Sequence, residues 1–258
     1  MELSTAIGIP AALVAVLVAM VAKGANPVML LSGAAIMLII VGTIGAVLNA
    51  MPMHIMKKVP LLIKKVIAKQ SLMPVPVLAT MFVQFSQVAR REGLLALEGR
   101  LNEVTDPFMR SGLGMMIDGL DADFIRDVME AEIGAMEERH RHCATIFSQG
   151  GMYAPTLGVL GAVIGLIGAL GNLSDIDALG VAIAGAFVAT MYGIFFGYVV
   201  FHPIATKLKT LSAEEASIKR IIVEGILSLQ AGDSPIAVEA KLNAFLPQAE
   251  RKAADTKE

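Results

Sequence analysis

The sequence predicts an all-α integral membrane protein with four transmembrane helices arranged as two hairpins. Four stretches contain no Asp, Glu, Lys or Arg: residues 3–22, 25–56, 143–174 and 178–206. Each is long enough to cross a bilayer, since a spanning helix needs about 20 apolar residues. The composition agrees, because 55% of the 258 residues are hydrophobic and the mean hydropathy is +0.68.

The chain divides into four predicted segments. Residues 3–52 hold transmembrane helices 1 and 2, and residues 143–206 hold helices 3 and 4. Short connectors near residues 23–27 and 172–177 predict that each pair is an antiparallel hairpin. The charged loop at residues 53–142 and the tail at residues 207–258 have helical patterns, so we expect them to build a helical cytoplasmic domain.

Basic residues near the span ends predict the orientation. Lysines and arginines follow the second and fourth spans and precede the third, at Lys57, Lys58, Lys64, Lys65, Lys69, Arg139, Arg141, Lys207 and Lys209. The opposite side has only Lys23. The positive-inside rule therefore predicts that the N-terminus, loop and C-terminus are cytoplasmic. The N-terminus has no basic region of the signal-peptide type, so we expect the first apolar stretch to persist as a helix.

The loop and tail contain recognisable helix signals. An apolar stripe within residues 122–141 predicts a helix that continues into the third span without a break; its members are Phe124, Ile125, Val128, Met129, Ile133 and Met136. Asp106 followed by Pro107 predicts a helix start, and the glycine and proline at residues 232–235 predict the end of a tail helix over 213–230. Residues 88–98 are predicted to be one helix, which would place Arg91 and Glu98 on a common face. Taken alone, these charges also fit a solvated helix face with salt bridges.

Small residues recur in the third and fourth spans. Gly161 and Gly165 form one GxxxG pair, and Gly193 and Gly197 form another. This spacing lets helix backbones approach closely in lipid. It fits packing of the two spans against each other, and it also fits a wall that meets a helix of a partner.

Two prolines and two threonines stand out in the same spans. Pro155 and Pro203 each remove an amide donor, which fits either a simple kink or a hinge. Thr156 and Thr190 are the polar groups nearest the middle of the spans. A lone hydroxyl usually bonds back to its own helix, and the alternative is a place on an ion path.

Several functions are disfavoured by what the sequence lacks. A net charge of −2 gives no field that would attract nucleic acid. The sequence shows no nucleotide-binding loop and no catalytic triad, so we expect that the chain is not an enzyme. His140 and His142 do not share a helix face, which argues against a metal site. The spans hold no carboxylate, so a proton or sodium path would need one from a partner.

Ordered motifs resemble those of the flagellar stator A subunits, the MotA/PomA family. They are Val-Ala-Arg-Arg-Glu-Gly-Leu-Leu-Ala-Leu-Glu at 88–98, Tyr-Ala-Pro-Thr-Leu-Gly-Val-Leu-Gly-Ala-Val-Ile-Gly-Leu at 153–166, Ala-Phe-Val-Ala-Thr-Met-Tyr-Gly at 186–193 with His-Pro-Ile-Ala at 202–205, and Ile-Val-Glu-Gly-Ile-Leu-Ser at 222–228. The resemblance covers roughly residues 5–247 and is strongest to the Gram-positive branch.

The resemblance implies a motor in the bacterial plasma membrane. In that family a homopentamer of A subunits surrounds two single-span B subunits (MotB-like), and an Asp of B carries the ion. By position, Arg90, Arg91 and Glu98 would face the rotor protein FliG. Pro155 and Pro203 would couple ion binding to movement, and Thr190 would lie beside the Asp of B.

The resemblance also implies a proton as the transported ion. Sodium-type members tend to carry Thr where this chain has Ala162 and Ala189, and a sodium ion needs oxygen ligands that alanine does not offer. We expect no cofactor. Two alternatives are a proton-driven energiser of the ExbB/TolQ type and a membrane scaffold that conducts nothing.

Overall fold

The computed structural model describes residues 3–68, 72–171 and 173–246, and these residues contain helices and no strand. Two segments are 3₁₀-helical, Pro27–Leu30 and Leu94–Glu103. The other helices, in chain order, are α1 (Leu3–Ala22), α2 (Gly33–Ala50), α3 (Met53–Met56), α4 (Val59–Ile67), α5 (Val75–Glu92), α6 (Pro107–Ile117), α7 (Ala122–Leu170), α8 (Ile176–Gln230) and α9 (Pro235–Asn243).

The chain forms two compact units. The membrane unit comprises Met1–Gln70 and His140–Thr210, and the loop–tail unit comprises Ser71–Arg139 and Leu211–Glu258. Part of the predicted tail, residues 247–258, lies outside the described residues, as do Lys69 and Asn172.

Three helices of the described chain are long and apolar enough to cross a membrane. They are α2, α7 and α8. Helix α1 spans 20 residues, as the sequence predicts, and its apolar part Ile7–Ala22 is shorter than the other three candidates. The structure therefore supports a membrane protein, and the count of four spans remains a prediction.

Helices α2 and α8 each contain a widened π-helical turn, at Met37–Val41 and Phe195–Phe201. The second of these ends two residues before Pro203, and the amide of His202 bonds the carbonyl of Gly197, five residues back. Proline has no amide hydrogen and its ring presses on the carbonyl four residues earlier, so the regular hydrogen-bond pattern is interrupted at Pro203. The π-turn lies directly before this interruption, inside a helix that otherwise continues.

Helix α7 runs without interruption from Ala122 to Leu170, which confirms the predicted continuous helix. In its polar part the predicted apolar stripe is largely correct, because Ile125, Met129 and Ile133 are buried. Phe124 and Val128 were predicted to belong to the stripe, but they are exposed. They lie one position before the buried residues, so the buried stripe is narrower than the sequence suggests.

The core of the loop–tail unit is built from five helices and the 3₁₀ segment Leu94–Glu103. Helix α6 contributes Phe108, Met109, Leu113 and Met116, and the 3₁₀ segment contributes Leu97. Helices α5, α7, α8 and α9 contribute the large, fully or nearly fully buried side chains Leu78, Phe82, Ile125, Met129, Ile133, Ile221, Ile222, Ile226, Val238 and Leu242. Phe82 and Phe85 meet edge to face, with ring centroids 6.1 Å apart. Gly225 leaves room for Phe82, since a Cβ there would come within 2.7 Å of its ring.

Two helix ends in this unit, the start of α6 and the end of α8, follow the predicted signals. The Asp106 carboxylate accepts a hydrogen bond from the Met109 amide at 3.0 Å, and Pro107 begins α6. Helix α8 ends at Gln230, followed by Gly232 at φ +72°, a backbone conformation that favours glycine. Ser234 caps α9 by accepting a hydrogen bond from the Ala237 amide.

The prediction of one helix over residues 88–98 is wrong. Helix α5 ends at Glu92, Gly93 turns the chain at φ +89°, and the chain continues as the 3₁₀ segment Leu94–Glu103. Arg91 and Glu98 therefore do not share a helix face. The turn lets Leu97 reach the core, where it is 1% exposed, and this burial favours the break over a straight helix.

Candidate ion pathway and rotor-facing surface

The α7–α8 contact in the membrane unit is built on glycine. A Cβ added at Gly158 would lie 3.1 Å from the Ala189 carbonyl oxygen and 3.2 Å from the Gly193 Cα. A Cβ at Gly165 would lie 2.8 Å from the Ala186 Cβ. The backbones thus touch directly, and the interpretation of the glycine pattern as packing of these two helices against each other is confirmed.

Pro155 lies in the same contact. Its ring is so close to Gly197 that a Cβ there would fall 2.7 Å from the proline Cγ and 2.9 Å from the Gly151 carbonyl oxygen. Gly151 precedes Pro155 by four residues, so its carbonyl is the one that a proline at 155 deprives of its helical amide partner. The structure places Pro155 and this carbonyl against the second GxxxG pair, with Pro155 half-buried.

Thr190 joins the two helices by a hydrogen bond. Its hydroxyl is 3.3 Å from the Ala186 carbonyl of its own helix and 3.3 Å from the Gly158 carbonyl of α7. Thr156 differs, because its hydroxyl donates only within α7, to the Met152 carbonyl at 3.0 Å, and its side chain is exposed. The predicted back-bonding holds for both threonines, and Thr190 adds a link between helices.

The two alanines occupy different environments. Ala189 is 3% exposed, and a Cβ on Gly161 would lie 2.7 Å from the Ala189 Cβ. Ala162 is half-buried on the neighbouring helix. Ala189 therefore belongs to the tight α7–α8 contact together with Thr190 and Pro155, whereas Ala162 lies next to that contact. Pro203 is exposed and follows the π-turn of α8.

Arg90, Arg91 and Glu98 are all exposed on the loop–tail unit. The two arginines lie in the last turn of α5, where a positive charge interacts favourably with the helix dipole. Glu98 lies beyond Gly93, between Leu97, which is buried, and Arg100, which pairs with Glu103 at 3.2 Å. A cleft of about 160 Å³ opens beside Arg90, lined also by Ser86, Gln230 and Asp233.

An ion pair fastens α9 near this cleft. The Lys241 ammonium donates to the Asp233 carboxylate at 2.7 Å and lies 3.8 Å from Glu224. The hydrogen bond from Lys241 holds the pKa of Asp233 below 3.8, and the same bond raises the pKa of Lys241 above 10.5. Ser86 of α5 donates to the Asp233 backbone carbonyl at 2.9 Å, so the end of α5 is tied to the segment that leads into α9.

Sequence reasoning missed three polar features of the membrane unit. The Tyr192 hydroxyl donates to the Leu30 carbonyl, which fastens the connector after α1 to α8. Thr43 of α2 is 1% exposed, and its hydroxyl oxygen has no hydrogen-bond partner among the described residues. Lys207 contacts two hydroxyls of α1. Tyr192 lies within the motif at 186–193, which is a signal for it, whereas residue type alone points to neither Thr43 nor Lys207.

Within the described residues, no three or more His, Cys, Asp or Glu side chains gather as a metal site would require. The arrangement instead offers two distinct surfaces. One is a tightly packed helix pair with a proline, a bridging threonine and no carboxylate in the spans. The other is an exposed group of charges at a helix end.

Comparison with known proteins places these features in a family. The model of the MotA/TolQ/ExbB proton channel family matches residues 100–220. Motility protein A of Bacillus subtilis is 49% identical over 97% of this chain and 93% of its own length, and motility protein A of Helicobacter pylori is 32% identical over 98% of each chain.

Solved structures agree with the sequence comparison. The flagellar MotAB stator complex from Bacillus subtilis contains a chain that superposes with a TM-score of 0.91, covering 96% of this chain and 97% of that one at 49% identity. MotAB of C. jejuni gives a TM-score of 0.90 at 33% identity. By sequence over nearly its whole length, and by fold, the chain belongs to the MotA family of flagellar stator proteins.

Proposed function

We propose that this chain is the A subunit of a flagellar stator. With a MotB-like B subunit it forms a proton channel that converts ion-motive force into torque on the rotor protein FliG. The proposal rests on the 49% identity, over nearly the whole chain, to motility protein A of Bacillus subtilis. The match to a chain of the MotAB stator complex from Bacillus subtilis supports it. The lack of any carboxylate in the four apolar stretches adds a physical reason for a partner.

The proposed topology has four spans with both termini in the cytoplasm. Helix α1 would be the first span, since its 20 residues rise about 30 Å, the thickness of the hydrocarbon core. Residues 53–142 and 207–258 would form the cytoplasmic part, between and after the span pairs 3–52 and 143–206. The distribution of lysine and arginine supports this orientation.

The proposed ion pathway runs along α7 and α8. Thr190 would lie beside the Asp of the B subunit. There its hydroxyl can give up the hydrogen bond to a helix carbonyl and form one with a protonated carboxyl group instead. Ala162 and Ala189 offer methyl groups rather than oxygen ligands, which favours protons over sodium. Thr156 would contribute a second hydroxyl on the exposed side of α7.

Pro155 and Pro203 are the proposed coupling residues. Pro155 leaves the Gly151 carbonyl without its helical donor at the point where α7 meets Gly197. Pro203 follows the π-turn, a segment whose hydrogen bonds already differ from those of an α-helix. Both positions are places where a helix can bend at low cost, because fewer regular hydrogen bonds must break.

Arg90, Arg91 and Glu98 are the proposed rotor-binding residues. They are exposed, so changing them alters an interface more than the fold. Their partner would be FliG, and the stator would contain a homopentamer of this chain. The related TolQ and ExbB branch of the family model has no comparable support, since the matching relatives described above are motility proteins.

Co-purification tests the proposal directly. The chain is expressed with the neighbouring single-span protein that carries one intramembrane Asp, and the detergent-solubilised complex is isolated through a tag on that protein and imaged. We expect a stable complex with several copies of this chain around the partner. Recovery of the partner without this chain, under conditions where both reach the membrane, would contradict the stator assignment.

A further inference from the structure

One end of the membrane unit carries a strong excess of positive charge. Among the described residues of this unit, carboxylates occur only at Asp175 and Asp177, in the connector before α8. Cations collect instead between α3 and α4, in the last turn of α4, at the start of the apolar part of α7 and shortly after Pro203 within α8; they are Lys57, Lys58, Lys64, Lys65, Arg141, Lys207 and Lys209. This end, called the basic end below, would attract anions.

Helix α4 at the basic end has the form of an interfacial helix. Leu62 and Val66 are buried in a cluster with Ala205 and Leu208 of α8, while Lys64 is exposed and Lys65 is half-buried. The exposed surface of α4 also carries Leu61, Ile63 and Ile67, and a short helix that presents both lysines and apolar side chains outward is typical of a helix at the membrane surface. The basic end therefore lies at the level of lipid headgroups.

A cavity of about 440 Å³ opens at the basic end and is lined by α1, α4 and α8. Its polar part consists of Ser4, Thr5 and Lys207, and the Lys207 ammonium lies 2.6 Å from the Thr5 hydroxyl and 3.4 Å from the Ser4 hydroxyl. Its apolar part includes Ile9 and Val66. One cavity thus combines a cation, two hydroxyls and a hydrocarbon wall.

We propose that this cavity binds an anionic phospholipid of the bilayer. The phosphate would lie beside Lys207 and the two hydroxyls, which offer hydrogen-bond donors, and the start of an acyl chain would follow Ile9 and Val66. Basic pockets between membrane helices are known binding places for anionic headgroups. A small soluble anion would leave the apolar wall in contact with water, so an amphiphile fits the cavity better.

The site adjoins a residue of the proposed coupling machinery. Pro203 and Tyr198 also line the cavity, and Tyr198 belongs to the π-turn that precedes the proline. A lipid held here would contact the segment of α8 that deviates from regular helix. The lipid site itself rests on the cavity and its charges and does not depend on the stator assignment.

Quenching of a single tryptophan by brominated lipid tests the site. The chain has no Trp, and Tyr198 is 61% exposed, so a Tyr198→Trp variant of the full-length chain places one reporter at the cavity. It is reconstituted in vesicles of equal phosphatidylglycerol and phosphatidylcholine, with bromine on one lipid at a time. We expect phosphatidylglycerol to be enriched about fivefold at the reporter, because a lysine near the surface contributes about 1 kcal/mol of attraction to anionic lipid.

Two further substitutions separate the site from general surface charge. In the reporter background, Lys207→Gln should remove most of the preference, whereas Lys209→Gln, which removes an exposed lysine two residues away, should keep it. Native mass spectrometry of the unsubstituted protein should show phosphatidylglycerol retained after detergent exchange. Equal quenching by both lipids in the reporter protein, or the same loss of preference in both lysine variants, would overturn the proposal.

Discussion

Thr190 shows how one residue can serve both packing and transport. Its hydroxyl lies at equal distance from a carbonyl of its own helix and from the Gly158 carbonyl of the next. A hydrogen bond shared between two acceptors is weaker than one direct bond. The hydroxyl can therefore switch to a better partner with only a small loss of free energy. The protonated carboxyl group of a B subunit would be such a partner.

The charges at the end of α5 should act on the rotor and not on folding. Arg90 and Glu98 are exposed, and exposed substitutions usually change stability by less than about 0.5 kcal/mol. We therefore expect Arg90→Glu and Glu98→Lys to reduce swimming speed strongly while the amount of assembled complex in the membrane stays near normal. Complementary reversals on FliG should restore part of the speed, because charge complementarity orients an interface.

The control for these reversals is Arg100→Glu. Arg100 is exposed on the same 3₁₀ segment, but it pairs locally with Glu103 and lies outside the proposed rotor-binding set. Its reversal should leave swimming close to normal. Failure of the Arg90 and Glu98 variants to assemble in the membrane would assign these residues to the fold instead.

Pro155 should matter more to the motor cycle than to stability. A Pro155→Ala substitution returns an amide donor to the Gly151 carbonyl and makes α7 more regular, so the helix should form at least as well. We expect normal protein levels and strongly reduced swimming, measured by tracking single cells. Normal swimming of this variant would remove Pro155 from the coupling residues.

At the scale of helices, the α7–α8 contact depends on the absence of side chains. A Cβ at Gly193 would lie 2.6 Å from the Ala154 carbonyl oxygen and 2.9 Å from the Gly158 Cα. Both are backbone atoms, so relieving the clash would require the helix backbone itself to shift. Gly193→Ala should therefore destabilise the protein by about 1–3 kcal/mol through overpacking. Thermal unfolding of the purified chain in detergent measures this loss.

Gly180 provides the matched comparison on the same helix. It is exposed, and a Cβ there meets no atom within 4 Å, so Gly180→Ala should be neutral or slightly stabilising. If both alanine variants unfold at the temperature of the parent, the two helices are not held by this close contact.

The Asp233–Lys241 pair should fasten α9 over a wide pH range. The pKa of Asp233 is lowered, so its contribution is complete above 3.8 and is lost as the pH falls through the lower folded value. The pKa of Lys241 is raised, so its contribution is complete below 10.5 and is lost as the pH rises through the higher folded value.

Removal of this ion pair should therefore weaken the attachment of α9 at neutral pH. Lys241→Gln should speed hydrogen exchange of the α9 amides up to about fivefold at pH 7, since a partly exposed pair contributes at most about 1 kcal/mol. Glu239→Gln, an exposed change on the same helix, is the control. Equal exchange in the Lys241 variant and the parent would show that apolar packing alone holds α9.

The sequence predicts these helices unequally well, for physical reasons. The bounds of α1, the continuous α7 and the Asp106 cap depend on local signals, namely apolar length, an uninterrupted apolar stripe and a capping side chain, and all three agree with the structure. The break at Gly93 has a local signal that the prediction overlooked, since arginines followed by glycine commonly end a helix. The 3₁₀ path beyond it depends on Leu97 finding space in a core made by distant helices. Of the two π-turns, the one at Phe195–Phe201 lies directly before Pro203, whereas the one at Met37–Val41 has no proline near it.

At the scale of the whole molecule, the charge distribution explains why the chain needs a partner. Its Asp, Glu, Lys and Arg residues lie outside the four apolar stretches, and the α7–α8 pair is closed by glycine and alanine contacts. Proton paths through the hydrocarbon core are commonly built on carboxylates, and the apolar stretches of this chain contain none. The central claim is that the channel is complete only when a B subunit adds its carboxylate.

Proton flux with and without the B subunit tests that claim most directly. The chain is reconstituted in vesicles holding a pH-sensitive dye, alone, with the B subunit, or with a B subunit whose intramembrane Asp is replaced by Asn. Under an imposed gradient we expect acidification only with the intact B subunit, and the Asp→Asn vesicles should match those with the chain alone. Sustained proton flux through the chain alone would contradict the account.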